Sequence, residues 1–311
     1  MQESVQSEQH DSASKEPSHA GTVICRFGRN LVIEDNKQQL IHCSFRQNLG
    51  HIACGDRVIY QQTSEQEGVV SAVMDRQTLL TRATFGGEEK PLAANITQMV
   101  IVLAPQPEPS EYLVDQYLIA ARRVGVPAVI TINKADLLDE AETEALQKRF
   151  AHYELIDCPL IFISAHQQQG LKPLTDLLQH QVSILVGQSG VGKSSLTNAL
   201  IPDLDLQTQK LSDKRQVGQH TTSASTLYDL PTGGRLIDSP GVRSFRPGKI
   251  DLQTLENGFA DLAEFLGHCR FRDCSHTTEP DCALLKACES GAIHPKRLEN
   301  FLHMKKELES T

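Results

Sequence analysis

Ser183-Ile184-Leu185-Val186 runs into Gly187-Gln188-Ser189-Gly190-Val191-Gly192-Lys193-Ser194, and a helix-like stretch follows over 195–201. This is the GxxxxGK[ST] pattern in the strand–loop–helix setting it requires. Glycines let the backbone turn so that successive N–H groups converge on phosphate oxygens, and the helix N-terminus adds a favourable dipole. Lys193 is placed to reach the β- and γ-phosphates and the Ser194 hydroxyl to coordinate Mg²⁺, with Ser195 opening the helix behind them. The bland alternative, a glycine-rich turn with no ligand, does not account for the flanking strand and helix.

Three further motifs lie around this loop. Asn133-Lys134-Ala135-Asp136 ends the apolar run Ala128-Val129-Ile130-Thr131-Ile132, and Ser164-Ala165 follows Leu160-Ile161-Phe162-Ile163. Asp238-Ser239-Pro240-Gly241 ends Arg235-Leu236-Ile237. The Asp136 carboxylate matches the N1–H and N2–H₂ donors of guanine. Adenine offers no such pair, and an unpaired buried carboxylate is costly. Lys134 can lie along the base, Asn133 can tie this loop to the phosphate loop, and Ser164-Ala165 can offer an N–H to guanine O6. Asp238 can hold Mg²⁺ through water, and the Gly241 N–H can meet the γ-phosphate. The ligand is GTP or GDP rather than ATP, and a metabolic ATP-dependent enzyme is disfavoured. Ordinary small GTPases begin with the phosphate loop and reach the base-reading motif near their end. Here the order is circularly permuted.

The stretch over 210–226 is polar and basic and contains Gly218-Gln219-His220-Thr221-Thr222. It reads as a switch loop ordered by the γ-phosphate, with an ordinary surface loop as the alternative. Thr222, ahead of Thr221, is the candidate to complete the Mg²⁺ shell. Val242 stands where Ras-like enzymes carry their water-orienting Gln. His220 is the nearest candidate for that role, and a bland loop histidine is the competing reading.

The 311 residues carry a net charge of −9 and eight cysteines. This charge opposes non-specific coating of nucleic acid, although a local basic face remains compatible with it. No signal peptide, transit peptide or membrane span is visible, so a cytoplasmic, monomeric protein without membrane partners is expected. Cys269, Cys274, Cys282 and Cys288 crowd together, which in a reducing compartment points to metal. Cys269, Cys274, His276 and Cys282 supply the ligands of a closed, structural Zn²⁺ site. Cys288 and His294 are alternative ligands, disfavoured by spacing.

Residues 1–20 are too polar to offset ordering entropy and are expected to be a disordered tail. Five short strand-like runs over 21–82 suit a small closed barrel, with an OB-fold as the natural candidate. Such a barrel either binds nucleic acid, with Arg26, Arg29, Lys37, Arg46 and Arg57 as candidate contacts, or merely packs on its neighbour. Over 83–242, buried strands alternate with amphipathic helices (110–124, 141–153, 173–181), the signature of an α/β domain with a parallel sheet. Residues 243–311 read as a mainly helical zinc-binding domain, with helices over 252–265 and 295–308.

Taken together, the barrel, the motif order, Gly218 to Thr222 and the Cys/His spacing resemble the circularly permuted, ribosome small-subunit-dependent GTPase A family of bacteria, from Gly21 to the C-terminus. The resemblance implies an OB-fold that binds the small ribosomal subunit and its rRNA. It also implies action late in that subunit's maturation, with weak GTPase activity stimulated by the subunit. It places the zinc ligands at Cys269, Cys274, His276 and Cys282 and the proposed catalytic His at His220. Gln219 stands where the family usually has Arg, which removes a basic contact, and Ser239 where it usually has Thr. The rival reading is a GTP-dependent switch that grips a protein partner through the zinc domain.

Overall fold

In the computed structural model, which describes residues 18–83, 88–204, 225–238 and 250–310, the first five strands close on themselves. They are β1 (Ser18–Phe27), β2 (Asn30–Asp35), β3 (Leu40–Phe45), β4 (Arg57–Ser64) and β5 (Glu67–Val73). Their order is β1-β2-β3-β5-β4, and β4 returns to pair with β1. All of these ladders are antiparallel except β3–β5. This is the OB-fold expected from the sequence. Val23, Leu31, Ile33, Ile41, Val58, Tyr60 and Val70 alternate inward and fill it, as the period-two geometry of strands requires.

The barrel begins earlier than the 20/21 boundary read from composition. Ser18, His19 and Ala20 pair with Gln61, Tyr60 and Ile59 of β4. Backbone hydrogen bonds that close a barrel need no apolar side chains, so a polar segment can supply them. The 82/83 boundary likewise falls inside a strand. β6 (Leu79–Ala83) and β7 (Glu89–Ala94) form a two-stranded sheet between barrel and central domain, pinned to the next helix by the Arg123–Glu89 ion pair.

The central domain has a sheet in the order β10-β9-β8-β11-β13-β12. Its strands are β8 (Gln98–Leu103), β9 (Ala128–Ile132), β10 (Leu160–Phe162), β11 (Val182–Val186), β12 (Thr226–Asp229) and β13 (Arg235–Asp238). All run parallel except β12. All six residues of β8 are buried, as expected for a strand covered on both faces. The helices are α1 (Glu111–Val124), α2 (Glu140–Phe150), α3 (Leu171–Leu178) and α4 (Lys193–Leu200). Ser110 caps α1 through Leu113 N–H, and Gly125 ends it in the left-handed region. Asp139 and Glu142 form a reciprocal capping box on α2, which fixes where that helix starts.

The C-terminal module comprises α5 (Leu252–Gly258), α6 (Ala260–Ala263), α7 (Ala283–Glu289) and α8 (Pro295–Glu309). The single helix expected over 252–265 is broken at Phe259. Gly258 lies so close to α1 that a Cβ there would stand 2.6 Å from Ile119 Cγ1. Phe259 is turned into the core, where the Arg297 guanidinium sits 4.3 Å from its ring centroid. A buried network then joins the module to α1. Arg297 bridges Asp115 (2.6 Å) and Asp261 (2.6 and 3.0 Å), while Asn300 and Tyr153 donate to Asp115 at 2.6 and 2.8 Å.

Candidate GTP pocket and metal cluster

The phosphate loop leaves β11 at Gly187 and enters α4 at Lys193. Gly187 has φ +144°, and a Cβ there would lie 2.2 Å from the Val102 carbonyl oxygen. Only glycine can turn the chain this close to β8. Val191 is buried in the apolar cluster beneath the loop. Lys193 folds across the loop, its Nζ donating to the carbonyls of Gly187 (2.6 Å) and Gln188 (2.8 Å). These neutral acceptors are ones that a phosphate oxygen, being charged, outcompetes. Ser194 and Ser195 are exposed at the first turn of α4. The Tyr117 hydroxyl, buried on α1, is in hydrogen-bond contact with the Gly187 backbone. In the sequence Tyr117 is one more large side chain of the amphipathic stretch over 110–124 and gives no sign of this prop, because the partner is 70 residues away.

Asn133 is the hub of the pocket. Its Nδ2 donates to the Val191 carbonyl at 3.0 Å, and its Oδ1 accepts the Ala165 N–H at 3.0 Å. One buried amide thus joins the loops after β9, β10 and β11. Lys134 adopts a left-handed backbone and donates from Nζ to Gly190 O at 2.6 Å. The Ala135 N–H is held by Ile163 O at 2.9 Å. This framework presents Asp136, whose Oδ1 is buried without a hydrogen-bond partner. A buried, unpartnered carboxylate oxygen is costly on its own and implies a donor from outside the chain. The N–H of Ser164 goes to Gln169 O and that of Ala165 to Asn133 Oδ1. In this structure both N–H groups of the pair are therefore engaged within the protein.

Asp238 ends β13 next to α4, and Thr197 Oγ1 donates to its Oδ2 at 3.4 Å. Burial pushes the Asp238 carboxyl above its usual range, against the lowering pull of Thr197 and Lys193. Such a buried carboxylate favours a cation beside it. His220, Thr221, Thr222 and Gly241 lie outside the described residues.

In the C-terminal module, the ligand atoms of Cys269, Cys274, His276 and Cys282 all lie within 4.8 Å of one another and could hold a metal ion. Cys282 immediately precedes α7, and His276 takes a left-handed backbone at φ 64° that turns its ring toward the thiols. The alternative ligands are placed elsewhere. Cys288 is on α7, and His294 caps α8 through Lys296 N–H while stacking on His152 at 4.0 Å.

The fold and pocket define a circularly permuted P-loop GTPase with a barrel before it and a metal-cluster module after it. The RsgA GTPase family model matches residues 73–247. The small ribosomal subunit biogenesis GTPase RsgA of Azotobacter vinelandii is 42% identical over 292 residues, covering 93% of this chain and 85% of the relative. The protein of that name from Hahella chejuensis is 43% identical over 293 residues, 93% of this chain and 84% of the relative. Among solved structures, YjeQ from Thermotoga maritima superposes with a TM-score of 0.75 at 29% identity, covering 95% of this chain and all of that one. YloQ, described as a circularly permuted GTPase, gives 0.71 at 26% identity, covering 97% and 98%. The chain belongs to the RsgA GTPase family and is a GTP-hydrolysing enzyme.

Proposed function

We propose that this protein is a cytoplasmic, monomeric assembly factor that binds the small ribosomal subunit in its GTP state and leaves after subunit-stimulated hydrolysis. The observation that carries guanine binding is the orphaned Asp136 oxygen, held in place by Asn133 and Lys134 beside a phosphate loop. The partner comes from the relatives, whose name is small ribosomal subunit biogenesis GTPase. The late stage of action comes from the sequence resemblance.

In this reading Gly187 to Ser194 enclose the phosphates, Lys193 exchanges its loop carbonyls for β- and γ-oxygens, and Ser164-Ala165 shape the base end. Ser194, Asp238 and Thr222 would hold Mg²⁺, which supplies charge neutralisation to the phosphates. Gly241 would sense the γ-phosphate and His220 would orient water. The working boundaries are a barrel over about 18–73 and a GTPase domain from about 79, with the 242/243 boundary to the metal module kept from the sequence.

The metal is Zn²⁺. Ideal tetrahedral Zn–S and Zn–N bonds imply S···S edges of about 3.8 Å and S···N edges of about 3.6 Å. Cys269 and Cys282 sulfurs are 3.8 Å apart, and His276 Nδ1 is 3.4 Å from each. Four protein ligands leave no position for water, so the role is structural.

The test is GTP turnover with and without purified small subunits, for wild type and His220→Ala. Normal GTP binding without stimulation of the wild type would refute the reading.

A further inference from the structure

The barrel touches the strand pair that leads to Asp238. Cys25 of β1 pairs with Thr226 of β12, and Thr226 pairs with Asp238 of β13. These three residues form one row across three strands. At usual strand spacing, Cys25 is about 10 Å from Asp238. At the other end of β13, Arg235 makes an ion pair with Glu34 of barrel strand β2 and another with Asp229 of β12, the latter at 2.9 Å. One guanidinium thus ties the barrel, β12 and β13 together.

Arg235 is anchored on its other side as well. Its N–H donates to Gln181 O at 2.7 Å, and it stands opposite Val182, the first residue of the strand that carries the phosphate loop. Ile24, Cys25 and Val32 from the barrel share one buried cluster with Leu227 and Ile237 of the GTPase sheet. Packed interiors have low compressibility and transmit strain. β13 is only four residues long, so the barrel contact at Arg235 and the carboxylate at Asp238 are separated by about 10 Å of extended chain. A barrel that served as a tether would need none of these contacts. The side chains are mostly shielded, 13% exposed for Glu34 and 26% for Arg235, so solvent screens the pair less than a surface bridge.

We propose that Glu34 and Arg235 are positioning residues for subunit-stimulated GTP hydrolysis. The pair sets β13, and with it Asp238, according to the position of the barrel, so that RNA gripping the barrel changes the geometry beside the γ-phosphate. This rests on the reading that the small subunit engages the barrel.

Hydrolysis is measured for wild type and Glu34→Gln, with and without saturating purified small subunits. Subunit binding is measured in parallel with a non-hydrolysable GTP analogue. The expected result is unchanged basal turnover and subunit affinity, with subunit-stimulated kcat lowered at least about fivefold, the lower end of typical coupling between sites. Glu34→Asp should retain most of the stimulation. Arg235→Lys, which keeps the charge but loses the fork that spans Glu34 and Asp229, should lose it as Glu34→Gln does. Wild-type stimulation in Glu34→Gln overturns the proposal, and so does a loss that appears entirely as weaker subunit binding. Should Glu34→Gln melt below the assay temperature, Arg235→Lys decides by the same criteria. A wild type without stimulation refutes the assembly-factor reading itself, and this inference with it.

Discussion

Replacing Arg297 with methionine removes the cation that faces Asp115 inside the protein. Asp115 is fully buried, at 0% exposure, and keeps its hydrogen bonds from Asn300 and Tyr153. Asp261, the other carboxylate on Arg297, is 13% exposed and can turn to water. The cost therefore falls on Asp115. Removing one partner of a buried ion pair costs about 3–5 kcal/mol, and the two neutral donors that remain favour the lower end. Methionine preserves much of the apolar packing over Phe259, so the loss reports charge rather than a cavity. The assay is amide hydrogen exchange along α8, where protection should fall by about two to four orders of magnitude. The pH dependence provides a second check. Burial already holds the Asp115 carboxyl above its usual range despite Arg297, and without that attraction it rises further. The folded variant then binds this proton more tightly than the unfolded chain, so its stability falls as pH rises through the window above the ordinary carboxylate value. The deficit relative to wild type should be largest at neutral pH and shrink on acidification. Adding Asp115→Asn should recover most of it. A deficit under about 1 kcal/mol at neutral pH, typical of a surface pair, would refute the reasoning. So would a pH-independent deficit or a double variant no better than the single.

Asp136→Asn should weaken GTP binding by at least about tenfold and admit xanthosine nucleotides, since each lost charged hydrogen bond is worth about 1.5–3 kcal/mol; unchanged guanine preference in a competition assay would contradict the role given to the orphaned oxygen. Gly187→Ala places a Cβ 2.2 Å from Val102 O and should abolish measurable nucleotide binding while the far-UV spectrum is kept; a variant that binds GTP normally would show that the loop has room to spare. Stripping metal with a chelator should unprotect α7 and α8 in hydrogen exchange and leave the barrel strands as protected as before; equal exchange in stripped and zinc-loaded protein would remove the structural role.

The candidate site could be proposed from the sequence because its motifs are local. Gly187 to Ser194, Asn133 to Asp136 and Cys269 to Cys282 are short runs whose spacing carries the mechanism. The barrel strands were legible because alternation survives in Val23, Leu31, Ile33 and Val58. What escaped detection depends on partners far away in sequence. Ser18 to Ala20 are ordered by backbone bonds to β4, which no side chain announces. β7 contains Pro91, a strand-opposing signal that an isolated two-stranded sheet tolerates at its edge. Arg297 and Asp115 are 182 residues apart, and in the sequence each looks like an ordinary helix-surface charge. The break at Phe259 was hidden because the reason for it, Ile119, is on another helix.

The strand order also has a consequence for how the chain is made. β11 is inserted between β8 and β13, yet β8 ends at Leu103 and β11 starts only at Val182. At about 5–20 residues per second, synthesis leaves one edge of β8, whose six residues all become buried, uncovered for roughly 4–16 s. The base-reading half emerges from the ribosome first and has no phosphate loop to work with. A nascent chain therefore cannot take up nucleotide until its central strand has been threaded into place, and the same event covers the open edge of β8, the kind of edge that invites aggregation. For this topology, gaining the cofactor pocket and losing the exposed edge are a single step of biosynthesis.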